Sequence, residues 1–123
     1  QAGLPRREHI FGGRDDAPTT LMIRNLPKRF TQEQLTQELE GIGLGGMFDF
    51  VYLPTQRGSR FSVGYAFVNF VDATCAEKCL VALQYYRFTA SRKIIEVSVA
   101  HVQGLEANMA RFQQEALPTA QGH

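Results

Sequence analysis

The order of apolar segments predicts an α+β chain, β-α-β-β-α-β, closed by a third helix. Three observations carry this reading. Several short segments alternate apolar and polar residues, the period of a half-buried strand. Two others repeat apolar residues every three to four positions, the second after a capping candidate and the first after a complete capping signature. Glycines and prolines fall between these segments rather than inside them. In that order the elements form a split βαβ, ferredoxin-like sandwich: a four-stranded antiparallel sheet with two helices on one face.

Residues 1–19 hold Gly3, Pro5, Gly12, Gly13 and Pro18 and lack apolar periodicity, so a flexible lead-in is expected there. The first strand begins at Thr20 and runs through Leu21–Leu26 to Pro27. Thr31-Gln32-Glu33-Gln34 is a capping box, and Leu35, Leu39 and Ile42 follow at helical spacing. Glycines 41, 43, 45 and 46 end that helix. Phe48 to Leu53 is a second strand, stopped by Pro54, and Phe61 to Phe70 a third with strict alternation. Asp72 caps a second helix whose inner face is Ala76, Cys79, Leu80 and Leu83. Residues 84–91 form a loop, and Lys93 to Val99 is the fourth strand. After Gly104, Leu105, Met109 and Phe112 mark a third helix. The expected division is 1–19 lead-in, 20–100 folded domain, and 101–123 helical extension and tail.

Composition narrows the function classes. The chain has 123 residues and 44% hydrophobic content, enough for one core. No apolar run approaches the roughly 20 residues of a membrane helix, so no membrane partner is expected. The first residue is Gln1 and no apolar signal core follows, as expected of a piece of a longer intracellular protein of nucleus or cytoplasm. Cys75 and Cys79 are too few for a disulfide scaffold and read as packed thiols. The three histidines are scattered, no nucleophile–base constellation occurs, and neither enzyme activity nor a cofactor is expected. Gly41-Ile42-Gly43-Leu44-Gly45-Gly46 resembles a dinucleotide fingerprint, but it follows a helix and precedes a strand. That order puts no helix N-terminus on a phosphate, so a helix-ending turn is the better reading.

Net charge is only +1, yet its distribution is uneven. Between Thr20 and Ala100 there are nine basic and seven acidic residues. The two helices carry Glu33, Glu38, Glu40, Asp72, Glu77 and Lys78. What remains on strands and loops is eight basic residues (Arg24, Lys28, Arg29, Arg57, Arg60, Arg87, Arg92, Lys93) against Asp49 and Glu96. A basic sheet side backed by acidic helices suits a polyanionic partner.

The third strand is the most specific segment. Val63-Gly64-Tyr65-Ala66-Phe67-Val68-Asn69-Phe70 fits seven of eight positions of the octamer of RNA recognition motifs, and Leu21–Leu26 resembles the companion hexamer. By alternation Tyr65 and Phe67 share the open sheet face while Ala66, Val68 and Phe70 meet the helices. Two readings of the open-face rings stand side by side: stacking on unpaired bases, or packing beneath the C-terminal helix. Val63 replaces the octamer's leading cation and Met22 an aromatic of the hexamer, which weakens the platform. Tyr52, and Phe50 with it, should add to the same face.

Met22–Pro27, Asp49–Pro54, Val63–Phe70, Ser91–Lys93 and Ala100–Gly104 together resemble the C-terminal recognition motif of the Mei-two-like proteins. The resemblance covers about Thr20 to Phe112. It implies single-stranded RNA binding in regulators of meiosis or development, with other domains of a longer chain or a partner protein nearby. His101 stands where the family usually has Arg, so a cationic contact there requires a protonated imidazole. The expected RNA-binding set is Met22, Arg24, Tyr52, Arg57, Arg60, Tyr65, Phe67, Asn69, Lys93 and His101. The competing expectation is a protein-interaction module using the acidic first helix and Arg87-Phe88, with the RNA face covered or gated by the C-terminal helix.

Overall fold

The computed structural model describes residues 17–120, with side chains as far as Phe112. Most of the expected lead-in, and the last residues of the tail, lie outside the described residues. The elements are β1 (Thr20–Arg24), α1 (Gln32–Leu39), β2 (Phe48–Tyr52), β3 (Tyr65–Phe70), α2 (Ala73–Ala82), β4 (Glu96–Val99) and α3 (Leu105–Ala120). The four strands form one antiparallel sheet in the order β2-β3-β1-β4.

The sheet's core face is built by Leu21 and Ile23 of β1 and Ala66, Val68 and Phe70 of β3, all buried. Leu35 and Leu39 of α1 and Ala76 and Cys79 of α2 cover it. Each large side chain so buried contributes about 1.5–3 kcal/mol against leaving it in water. The capping box of α1 is complete: Gln34 N donates to Thr31 Oγ1 at 3.1 Å, and Thr31 N to Gln34 Oε1 at 2.9 Å. The glycine run does end the helix, after a wider π-type turn over Glu40–Leu44 that closes at Gly43 with φ +94°.

Strand ends differ from expectation where the backbone turns aside. β1 stops at Arg24 because Asn25 adopts φ +65° and its amide donates to the Ile94 carbonyl at 2.9 Å. The third strand begins at Tyr65 rather than Phe61, since Gly64 has φ +117° and only Thr55 and Ser62 bridge before it. β4 begins at Glu96 rather than Lys93.

The third helix turns Phe112 inward, as its apolar period suggested, but Asn108 rather than Met109 beside it. Met109 is 50% exposed, while Asn108 is fully buried and Phe112 nearly so. Asn108 Nδ2 donates to Thr20 Oγ1 at 3.0 Å and to the Gly104 carbonyl at 2.7 Å, and this pairing lets an amide take the inward position.

Candidate nucleic-acid interface

The pairing register fixes the open face. Met22 lies beside Phe67 and Arg24 beside Tyr65, and a bulge between Phe48 and Phe50 brings Phe50 beside Asn69 and Tyr52 beside Phe67. Two-residue alternation therefore collects Phe50, Tyr52, Tyr65 and Phe67 on one surface. Helix α3 crosses it. The Phe112 ring stacks on Tyr52 at 4.6 Å, on Phe67 at 5.2 Å and on Phe50 at 6.4 Å between centroids. The packing reading therefore holds for Phe67, which lies beneath α3, while Tyr65 keeps 37% of its surface open and meets Phe67 edge-on.

A groove of about 820 Å³ remains between the sheet and α3. Met22, Arg24, Tyr52, Tyr65, Phe67 and His101, six of the ten expected residues, line it. Arg24 reaches Glu96 across the β1–β4 ladder at 3.4 Å, both side chains being about half exposed or more. Such a surface pair holds little and leaves the guanidinium available to an anion.

The other four expected residues sit elsewhere. Asn69 faces the same side but is only 2% exposed. Its Oδ1 accepts from Thr19 Oγ1 at 2.7 Å and Thr20 Oγ1 at 2.6 Å, and its Nδ2 donates to Asp49 at 2.8 Å. These bonds hold it in the seam under α3 rather than toward a ligand. Lys93 Nζ turns back to the Leu26 carbonyl at 3.3 Å. Arg57 is exposed in the β2–β3 connection, and Arg60 is turned onto the Phe61 ring.

Seven groove residues were not anticipated as ligand contacts, among them Ser98, Val102, Arg111 and Phe112. Arg111 lies over the Phe112 ring at 5.3 Å and puts a cation on the roof of the groove. Its only sequence signal is adjacency to Phe112. On the opposite side, Phe88 is buried against Phe30 at 5.2 Å, so Arg87-Phe88 offers no aromatic to a partner. Among the described residues no group of acidic, His or Cys side chains could hold a metal, and no helix is long and apolar enough to cross a membrane.

The sequence profile for RNA recognition motif 2 matches residues 18–113. The meiosis protein mei2 of Schizosaccharomyces pombe is 33% identical over 105 residues, covering 83% of this chain and 14% of that protein. Protein MEI2-like 3 of Arabidopsis thaliana is 34% identical over 110 residues, covering 84% of this chain and 14% of that protein. The chain therefore spans about one seventh of the length of these curated relatives. Among solved structures, the Rna15 recognition motif with bound RNA superposes with a TM-score of 0.60 at 14% identity, covering 78% of this chain and 97% of that one. At that identity the likeness is one of fold.

Proposed function

The chain belongs to the RNA recognition motif 2 family, and from that premise we propose that it binds single-stranded RNA in the groove between its sheet and α3. The observation that carries this is the convergence of Tyr65, Tyr52, Phe67, Met22, Arg24 and His101 on one opening. A base stacks on the open face of Tyr65, with Met22 alongside as an apolar but ringless surface. Arg24 and His101 meet phosphate or base edges, and Arg111 closes the roof.

Phe67 and Tyr52 line the groove, but the ring faces that Phe112 stacks on open to a base only when it moves off them, so α3 competes with RNA for the centre of the platform. Each base stacked on an aromatic contributes about 1–3 kcal/mol. Two stacks with a few phosphate contacts approach the ~8 kcal/mol of a micromolar complex. Binding by this domain is therefore weak and salt-sensitive, and neighbouring domains or a partner protein tighten it. The fission-yeast relative is named a meiosis protein, and a role in meiosis or development is the matching reading for the longer protein.

Titration of labelled single-stranded RNA against the protein and its Tyr65→Ala/Phe67→Ala variant tests the reading. The expected result is at least a tenfold loss, the 1.4 kcal/mol equivalent of one stack. Equal affinity for both proteins removes stacking from the mechanism.

A further inference from the structure

Four cations outside the groove are gathered by two different loops. Lys28 and Arg29 follow β1, and Arg57 and Arg60 precede β3; all four are exposed. Hydrogen bonds hold the loops together: Ser62 N to the Phe30 carbonyl at 2.7 Å, Leu26 N to the Gly64 carbonyl at 2.9 Å, and Gln56 Nε2 to the Lys28 carbonyl at 3.2 Å. Arg29 and Arg60 both turn onto the ring of Phe61, their guanidinium carbons 4.6 and 5.7 Å from its centroid. With Thr31, Glu33 and Gln34 they line a recess of about 360 Å³.

Among the described residues neither guanidinium is in an ion pair or donates a hydrogen bond. The ring contact positions both guanidiniums while their N–H groups remain free to grip phosphate oxygens. The recess shares no lining residue with the groove, yet it adjoins the same end of the sheet. Arg24, the last residue of β1, is five residues before Arg29, and Tyr65, the first of β3, is five residues after Arg60.

We propose that this recess is a second site, which takes the phosphodiester backbone of nucleotides flanking those in the groove. It extends the reading of the groove as an RNA site and rests on it. RNA long enough to leave the groove passes the Lys28 and Arg57 side chains and seats a phosphate between Arg29 and Arg60. Val63, which replaces the octamer's leading cation, falls between Arg60 and Tyr65 in the sequence, so Arg60 supplies a cation three residues before it. Glu33, the one carboxylate lining the recess, opposes the bound phosphate.

Chemical-shift mapping with random-sequence single-stranded RNA tests this, using an oligomer of ~3 nucleotides, the number such a face stacks, and one of about fourfold that length. The short RNA should move the amides of Tyr65, Phe67 and Ser98. The long RNA should in addition move those of Arg29, Arg60, Phe61 and Gln34. In the Arg29→Ala/Arg60→Ala variant, checked for an unchanged melting curve, the gain in affinity with length should disappear. Each phosphate contact contributes about 0.7 to the slope of log K against log salt for single strands. Losing two contacts should make the variant about sevenfold less sensitive to a fourfold rise in salt. Arg29→Lys/Arg60→Lys should restore much of the slope, and Glu33→Gln should tighten the long RNA.

Shifts confined to the groove with both RNAs overturn the second site while leaving the first intact. Recess shifts with polyglutamate but not with long RNA also overturn it, in favour of an acidic peptide. No shift at either place overturns both.

Discussion

Replacing Phe112 with alanine is expected to tighten RNA binding about tenfold while loosening α3. The ring is 8% exposed and has no free face to offer a base. It meets three rings, at 4.6, 5.2 and 6.4 Å. Aromatic pairs of this kind contribute about 0.5–1.5 kcal/mol each, so the three sum to about 1.5–4.5 kcal/mol. RNA that stacks on Phe67 must first break them, and the closed state lowers apparent affinity by the fraction of molecules that are open. The Asn108 and Gln103 contacts of the same segment survive the substitution, which keeps the gain near the lower figure; ~1.5 kcal/mol is close to tenfold. Fluorescence anisotropy with labelled single-stranded RNA at one salt concentration reads the affinity, and hydrogen exchange of the α3 amides reads the loosening. Equal or weaker binding together with faster exchange refutes the competition and makes Phe112 a support of the RNA site.

Other outcomes follow from contacts away from the rings. Asn108→Ala removes a fully buried amide's donations to Thr20 Oγ1 and to the Val102 and Gly104 carbonyls and should cost about 1–3 kcal/mol, seen as a fall of several degrees in Tm by calorimetry; an unchanged Tm means that α3 is not held by this residue. Gln103→Ala should speed exchange of the Thr20 amide, which donates to Gln103 Oε1 at 2.9 Å, and unaltered protection would show that the side chain is dispensable there. Burial pushes the Cys79 thiol from 9.0 up to about 12. The unfolded thiol ionises first, so this contribution is intact below the unfolded value and is lost as pH rises toward the folded one, by about 1.4 kcal/mol per pH unit. Urea midpoints measured on either side of the unfolded value, in wild type and Cys79→Ala, should therefore diverge, and parallel midpoints would rule the thiol out.

Local rules account for much of what the sequence predicted. The capping box of Thr31, the alternation of Ala66, Val68 and Phe70, and the glycines after α1 are each set by neighbours in the chain, and all appear in the structure. The misreadings came from contacts between distant residues. Asn108 owes its inward place to Thr20, 88 positions away, and no helical period announces that. Asn69 is sunk by Thr19, Thr20 and Asp49, so a residue on the ligand face by alternation became part of a seam. Charge sorting by element did separate basic loops from acidic helices, but not the turning of Arg60 toward Phe61, which depends on where the β1–α1 loop carries Arg29. The possibility that the third helix lies across the sheet was visible from its apolar residues; which ring it would cover was not.

The side-chain amide of Gln103 behaves as a spare peptide unit. Its oxygen accepts from Thr19 N at 2.8 Å and Thr20 N at 2.9 Å, and its nitrogen donates to the carbonyls of Thr20 at 2.9 Å and Ala100 at 2.8 Å. It thus fills the rung that a longer β4 would have made opposite the start of β1. The boundary that a four-strand, two-helix outline suggests, at Ala100, cuts through this rung. A chain ended there is expected to fray at both β1 and β4, and the smallest unit that folds as a whole should run past Gly104 into α3.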